Sequence, residues 1–232
     1  MTGQADDSAP RDPDVESAVT AAIAHQIRTP LTMIVGAAET LAQRRDALAP
    51  SAINAMIDRL RDNAYRLAGV VDDLVEFLVV PDAVTVQRRD TSLHVLARRA
   101  AKRTSITRDR LHLPDVPVVL DVDPELIGRA FDRVFDNVAR HTPRDTSVWV
   151  DADVGAAGIA VHIGDNGPGI PAVSDNALFA PFVSIDPGDP SPRPGLGLPL
   201  VARYARAHGG RAHLATNEHG GLTVTLDLPH ET

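Results

Sequence analysis

Eight apolar residues, Ile53, Ile57, Leu60, Ala64, Leu67, Val71, Leu74 and Leu78, recur at alternating steps of four and three. That spacing is a heptad seam, which commits the stretch to one long helix with a narrow apolar stripe and excludes a strand. Upstream, Val19, Ile23, Ile27, Leu31, Ile34, Ala38 and Leu41 follow the same helical period. A short break from Arg44 to Ser51, containing Pro50, joins the two, so residues 15–80 are predicted to form an antiparallel helical hairpin. A two-helix hairpin cannot bury both of its stripes. Pairing with a second copy into a four-helix bundle does so, and the chain is therefore expected to be a homodimer.

Pro81 closes the second helix, and the pattern then changes. A short strand is expected near Val84–Val86, a helix from about Leu93 to Arg103 and a buried strand over Val116–Val122. Asp123-Pro124-Glu125 supplies an N-cap, a proline at the first helical position and an acid in the first turn, opening a helix to about His141. Strands fit Ser147–Val154, Ile159–Asp165, Arg211–Thr216 and Leu222–Leu228, and a helix from about Pro199 to His208 stops at Gly209-Gly210. This order predicts a two-layer α/β sandwich over residues 84–232. The first 14 residues are polar and acidic with two prolines, lack the basic and apolar regions of a signal peptide, and read as a disordered lead-in.

Composition narrows the function. A net charge of −8 lacks the basic excess that general nucleic-acid binding needs. With no cysteine there is neither a disulfide framework nor a thiolate zinc site, which fits a reducing cytoplasm. No apolar run reaches the eighteen or so residues that cross a bilayer, so no direct membrane span is expected. Aromatics make up only 3% of the chain, so the core must come from aliphatic residues.

Four short stretches carry chemistry. His25-Gln26-Ile27-Arg28-Thr29-Pro30-Leu31 sets an imidazole near a proline within helical periodicity, and an interior proline costs about 3 kcal/mol. Asp165-Asn166-Gly167-Pro168-Gly169 follows a strand directly; its carboxylate would repel phosphates but suits an exocyclic amine such as adenine's, while Gly167 and Gly169 permit close backbone approach. Gly195-Leu196-Gly197-Leu198 enters a helix whose free N–H groups favour an anion. On the helix ending Phe135-Asp136-Asn137-Val138-Ala139-Arg140-His141-Thr142, Asn137 offers an amide oxygen to a hard cation such as Mg²⁺. Arg140, one turn on, could reach phosphates. Between the two glycine motifs, Val183–Arg193 is polar and rich in Pro and Gly and reads as a mobile flap. No two histidines show metal-site spacing, and His208 reads as a helix C-terminal residue favoured by the dipole.

Taken in order, these stretches resemble the cytoplasmic core of bacterial sensor histidine kinases. His25–Leu31 resembles the phosphoacceptor H box, Asp132–Thr142 the N box and Asp165–Ile170 the first glycine box. Leu178–Phe182 resembles the F box and Gly195–Leu198 the second glycine box. The resemblance implies a dimerisation and phosphotransfer hairpin followed by an ATP-binding domain of the Bergerat type shared with gyrase, Hsp90 and MutL. It implies transfer of the ATP γ-phosphoryl, with Mg²⁺, to His25 and then to an aspartate of a cognate response regulator. It also places Asn137, Arg140, His141, Asp165, Gly167, Gly169, Gly195, Leu196, Gly197 and Leu198 around ATP, with Asn137 toward Mg²⁺.

Three positions depart from the family pattern. Gln26 stands where the family carries Glu or Asp; an amide orients the imidazole but takes no proton, and general-base help is worth roughly 10²–10⁴-fold. Arg133 replaces the first Asn of the N box, and Arg193 replaces a glycine before the second glycine box; both guanidinium groups could contact phosphate. Thr29 matches the position that in relatives helps dephosphorylate the regulator. The leading expectation is an ATP-dependent protein-histidine kinase. The alternative is a pseudokinase, phosphotransfer or phosphatase adaptor that dimerises and binds a regulator with little autokinase activity. Either expectation leaves the sensor to a longer form of the chain or to a separate partner.

Overall fold

The computed structural model describes residues 13–79, 85–170, 178–181 and 195–230, which divide into two compact units, one ending at Asp72 and the other beginning at Asp73. The expected disorder of residues 1–12, the helix stop at Pro81, Phe182 of the F box and the flap over 183–193 with its Arg193 lie outside the described residues.

The first unit consists of α1 (Pro13–Arg44), a single 3₁₀ turn (Arg45–Ala47) and most of α2 (Pro50–Val79). Both helices begin on a proline, whose missing N–H is no loss at the first helical position. Pro30 does not end α1. It lies buried in the helix interior, and with no N–H of its own it leaves the Gln26 carbonyl without its usual i+4 amide. The predicted seam of α2 splits in two. Ile53, Leu60, Leu67 and Leu74 are half-buried, whereas Ile57 is 49%, Val71 43% and Leu78 71% exposed. One half of the heptad thus turns inward and the other stays on the surface of the single chain.

The second unit is a sheet covered on one face by helices. Its five strands run in the order β2 (Leu111–His112), β4 (Val148–Gly155), β5 (Gly158–Asp165), β7 (Leu222–Pro229), β6 (Arg211–Thr216). Among the described residues only the β2–β4 pair is parallel. A separate antiparallel pair joins β1 (Arg89–Ser92) to β3 (Val119–Val122). Alternation along β4, β5 and β7 points Val150, Val161, Ile163, Val224 and Leu226 into the core. There they meet α3 (Leu93–Thr104), α4 (Pro124–His141) and α5 (Gly197–Ala207).

Two expectations need correction. The strand near Val84–Val86 is absent from the described residues 85–86, and the strand of that region lies at Arg89–Ser92. Side chains rather than a ladder hold the approach: Arg88 donates to the carbonyls of Asp121, His208 and Pro229, and the Gln87 N–H donates to the Asp123 carboxylate. His208 is not held by the helix dipole as a cation. It is 3% exposed, its Nδ1 donates to the Tyr204 carbonyl and its Nε2 accepts the Asp123 N–H. That pattern requires the neutral ring.

Candidate nucleotide and phosphoacceptor sites

His25 is exposed on α1, and Gln26 beside it is half-buried. Thr29 folds its hydroxyl back onto the His25 carbonyl (3.1 Å), so this side chain and Pro30 together shape the backbone one turn after the histidine. An exposed imidazole is open to an incoming electrophile.

In the second unit, β5 ends at Asp165, a residue only 6% exposed. Its Oδ1 accepts the Gly167 N–H at 2.7 Å and, at 3.5 Å, the Leu222 N–H. Burial pushes the carboxyl pKa up, and these two hydrogen bonds only partly oppose that. Oδ2 takes no hydrogen bond from any described residue, so an oxygen acceptor remains for an amine donor. The glycines here are a steric necessity. A Cβ on Gly167 would lie 2.6 Å from Thr142 Cγ2, and one on Gly169 (φ +66°) would lie 2.5 Å from the Gly220 carbonyl. Asn166 anchors the loop by accepting the Ser147 N–H at 2.7 Å.

The N-box helix α4 buries Ile127, Phe131, Val134, Phe135 and Val138 and turns Arg129, Arg133, Asn137 and Arg140 to its other side. Asn137 is half-buried, and its amide makes no hydrogen bond to a described residue, which leaves its oxygen for a hard cation. Arg140 is paired with Asp136 (3.0 Å), and His141 is exposed. Gly195 takes a left-handed φ of +62° and Leu196 is buried as the N-cap of α5. The helix starts at Gly197, two residues earlier than its proline suggests, and exposes the N–H groups of its first turn to an anion. By chemistry the buried Asp165 carboxyl suits a base amine, a helix entrance such as that of α5 suits phosphate, and the Asn137 amide oxygen suits a hard cation.

Arg133 is engaged otherwise than by phosphate. Its two terminal nitrogens bind Asp73 and Glu76, which lie in the last turns of α2 within the same compact unit. Glu76 also receives Arg129 and the Tyr204 hydroxyl, while Arg203 bonds the Phe77 carbonyl and lies over the Phe77 ring at 4.5 Å. Burial alone would raise the Glu76 carboxyl, but hydrogen bonds from Tyr204 and Arg129 and the Arg133 charge hold it below the usual range. The Arg133 guanidinium, despite its burial, is held firmly charged by these two carboxylates. Sequence reading missed this cluster, because its signal is an acid pair one helical turn apart that matters only once α4 packs beside it. It also missed the turn between β6 and β7, which reaches Asp165 and whose only sequence mark is Asn217 before Gly220-Gly221.

The chain matches two families in succession: the "His Kinase A (phospho-acceptor) domain" over residues 16–78 and the "Histidine kinase-, DNA gyrase B-, and HSP90-like ATPase" over residues 122–232. It is 29% identical over 215 residues to the sensor histidine kinase ZraS of Escherichia coli K12, covering 90% of this chain and 44% of ZraS. The chain thus spans less than half the length of this relative. In fold it is similar to the histidine kinase AdeS of Acinetobacter baumannii, with a TM-score of 0.68 at 22% identity over 90% of this chain and 98% of that one. It is similar also to the histidine kinase ThkA, solved in complex with response regulator protein TrrA, with a TM-score of 0.69 at 18% identity over 94% and 63% of the two chains. With both modules present in the order that the motifs dictate, the chain belongs to the sensor histidine kinases of two-component systems and comprises their cytoplasmic core.

Proposed function

We propose that this chain takes the γ-phosphoryl group of ATP onto His25 and passes it to an aspartate of a response regulator. The observation that carries the reading is the buried Asp165, with one oxygen tied to the loop and the other left for adenine, in a chain that also presents an exposed imidazole on an H-box helix. In the transfer, a ring nitrogen of neutral His25 forms the N–P bond as the bond from phosphorus to the ADP oxygen breaks. The proton on the other ring nitrogen then leaves. Gln26 can accept a hydrogen bond from that N–H but cannot take its proton, so the proton passes to water and the step is slow. Asp165 accepts the adenine amine and the α5 entrance at Gly195–Leu198 meets phosphate; Asn137 would hold Mg²⁺ through its amide oxygen, and the bound ion would supply charge neutralisation for the transferring group. Arg140 and His141 stand at the rim of the same helix end. Partner and dimer follow the same reading. Ile57, Val71 and Leu78 remain on the surface for a second copy, and the ThkA complex shows a regulator bound to a similar fold.

Incubation with labelled Mg-ATP tests the proposal. Acid-labile, alkali-stable phosphate should form on the wild type, vanish in His25→Ala and form faster, by about tenfold or more, in Gln26→Glu. Absence of label from both wild type and Gln26→Glu would leave the adaptor that binds a regulator without phosphorylating itself.

A further inference from the structure

The turn between β6 and β7, Asn217-Glu218-His219-Gly220-Gly221, lies against the loop that carries Asp165. A Cβ on Gly221 would fall 2.0 Å from the Asp165 carbonyl, and one on Gly169 would fall 2.5 Å from the Gly220 carbonyl. Asn217 ties the two together. Its Nδ2 donates to the Asp165 carbonyl at 2.8 Å and to Thr223 Oγ1 at 3.3 Å, while its Oδ1 accepts the N–H groups of His219 and Gly221, both at 3.1 Å. The Asn217 backbone closes the turn with Gly220 and Gly221 at 3.0 Å each. The next residue, Leu222, sends its N–H to the Asp165 carboxylate. One side chain therefore satisfies the turn on one side and the nucleotide loop on the other.

The turn is also clamped at the sheet face that Trp149, Gly164 and Thr223 share. Trp149 on β4 stands opposite Gly164 on β5, and Gly164 stands opposite Thr223 on β7. The His219 ring stacks on Trp149 with centroids 4.7 Å apart and planes 20° apart. His112 stacks on the same indole at 5.6 Å. The two stacks on one indole tie the turn to β4 and β2.

We propose that Asn217 is a positioning residue for adenine recognition, setting the Asp165 carboxylate through the β6–β7 turn, with the His219–Trp149 stack as the outer clamp of that turn. The inference rests on the reading of Asp165 as the adenine acceptor. It assigns base selectivity to a hydrogen bond that touches neither the nucleotide nor the carboxylate itself. A shifted carboxylate loses its bond to a 6-amino group but loses nothing toward a base that carries a 6-oxo group instead.

Titration calorimetry of the full chain with Mg-ATP and with Mg-ITP separates the possibilities. Wild type should prefer ATP. Asn217→Asp keeps the acceptor for the two turn N–H groups and loses the donor to the Asp165 carbonyl and to Thr223 Oγ1; its ATP affinity should fall about fivefold to tenfold, with ITP affinity unchanged. His219→Ala, an exposed change that spares the fold, should shift the ratio in the same direction by a smaller factor, and it carries the test if Asn217→Asp melts early. Equal loss for both nucleotides marks a merely structural turn and overturns the inference, as does a ratio unchanged in both variants. A wild type that binds neither nucleotide, or does not distinguish them, refutes the reading of Asp165 itself.

Discussion

His208 shows how a single buried group couples this fold to pH. Desolvation is the largest cause of its lowered pKa, the nearby Arg88 charge adds to it, and the Tyr204 carbonyl and the Asp121 and Asp123 carboxylates oppose it. The ring is neutral in the folded protein, while in the unfolded chain it titrates near the ordinary value of about 6.5. Its stabilising contribution is therefore complete above that value and is lost as pH falls from there through the depressed folded value. Melts in urea from pH 8 to pH 5 should show wild type losing about 1 kcal/mol more than His208→Ala over that span. Equal slopes would mean that the ring does not change charge on unfolding. Asp165 follows the opposite logic of function: with burial raising its carboxyl, Asp165→Asn should abolish measurable ATP binding by reversing the acceptor that faces the amine. Calorimetry with Mg-ATP checks this, and a variant still binding within about threefold of wild type would displace Asp165 from the site.

At the scale of elements, the last turns of α2 and the outer side of α4 are joined by the Asp73 and Glu76 carboxylates and the Arg133 guanidinium, all of which lie largely out of water. Removing one partner of such a pair strands the other and costs about 3–5 kcal/mol, whereas the intact pair is worth far less than that. Arg133→Met should therefore destabilise the second unit by about 3 kcal/mol, and adding Asp73→Asn should recover part of the loss, giving a coupling above about 1 kcal/mol in a denaturant double-mutant cycle. Strict additivity would show that the contacts are solvated. This cluster also explains why the N-box reading of Arg133 was incomplete. The residue's place on the helix was legible from the motif, but its partners lie 60 and 57 positions away in the chain. The same division runs through the fold: α4 and β6 were legible to the residue, since Asp123-Pro124 and Gly210 punctuate them, while the two-residue strand β2 was not. Leu111–His112 is too short to show alternation and exists only because Val148 offers it a ladder.

For the whole molecule, the split seam of α2 makes a prediction about assembly. Ile57 and Val71 are exposed in the single chain despite standing at heptad positions, and a narrow apolar stripe of this kind is buried by a second helix pair. Light scattering should give twice the chain mass for wild type and the single-chain mass for Ile57→Glu/Val71→Glu; an unchanged mass would place the dimer contact elsewhere. What the sequence determined by itself is what depends on neighbours along the chain: helical period, caps, the order of the five boxes and therefore the family. Only the tertiary structure decided which half of the heptad turns inward, that Arg133 answers to Asp73 and Glu76, that His208 is neutral, and that Asn217 and His219 stand behind Asp165. The physical reason is that periodicity and capping are local energies summed over a few residues. Charge state, pairing and support depend instead on burial beside groups that folding alone brings together.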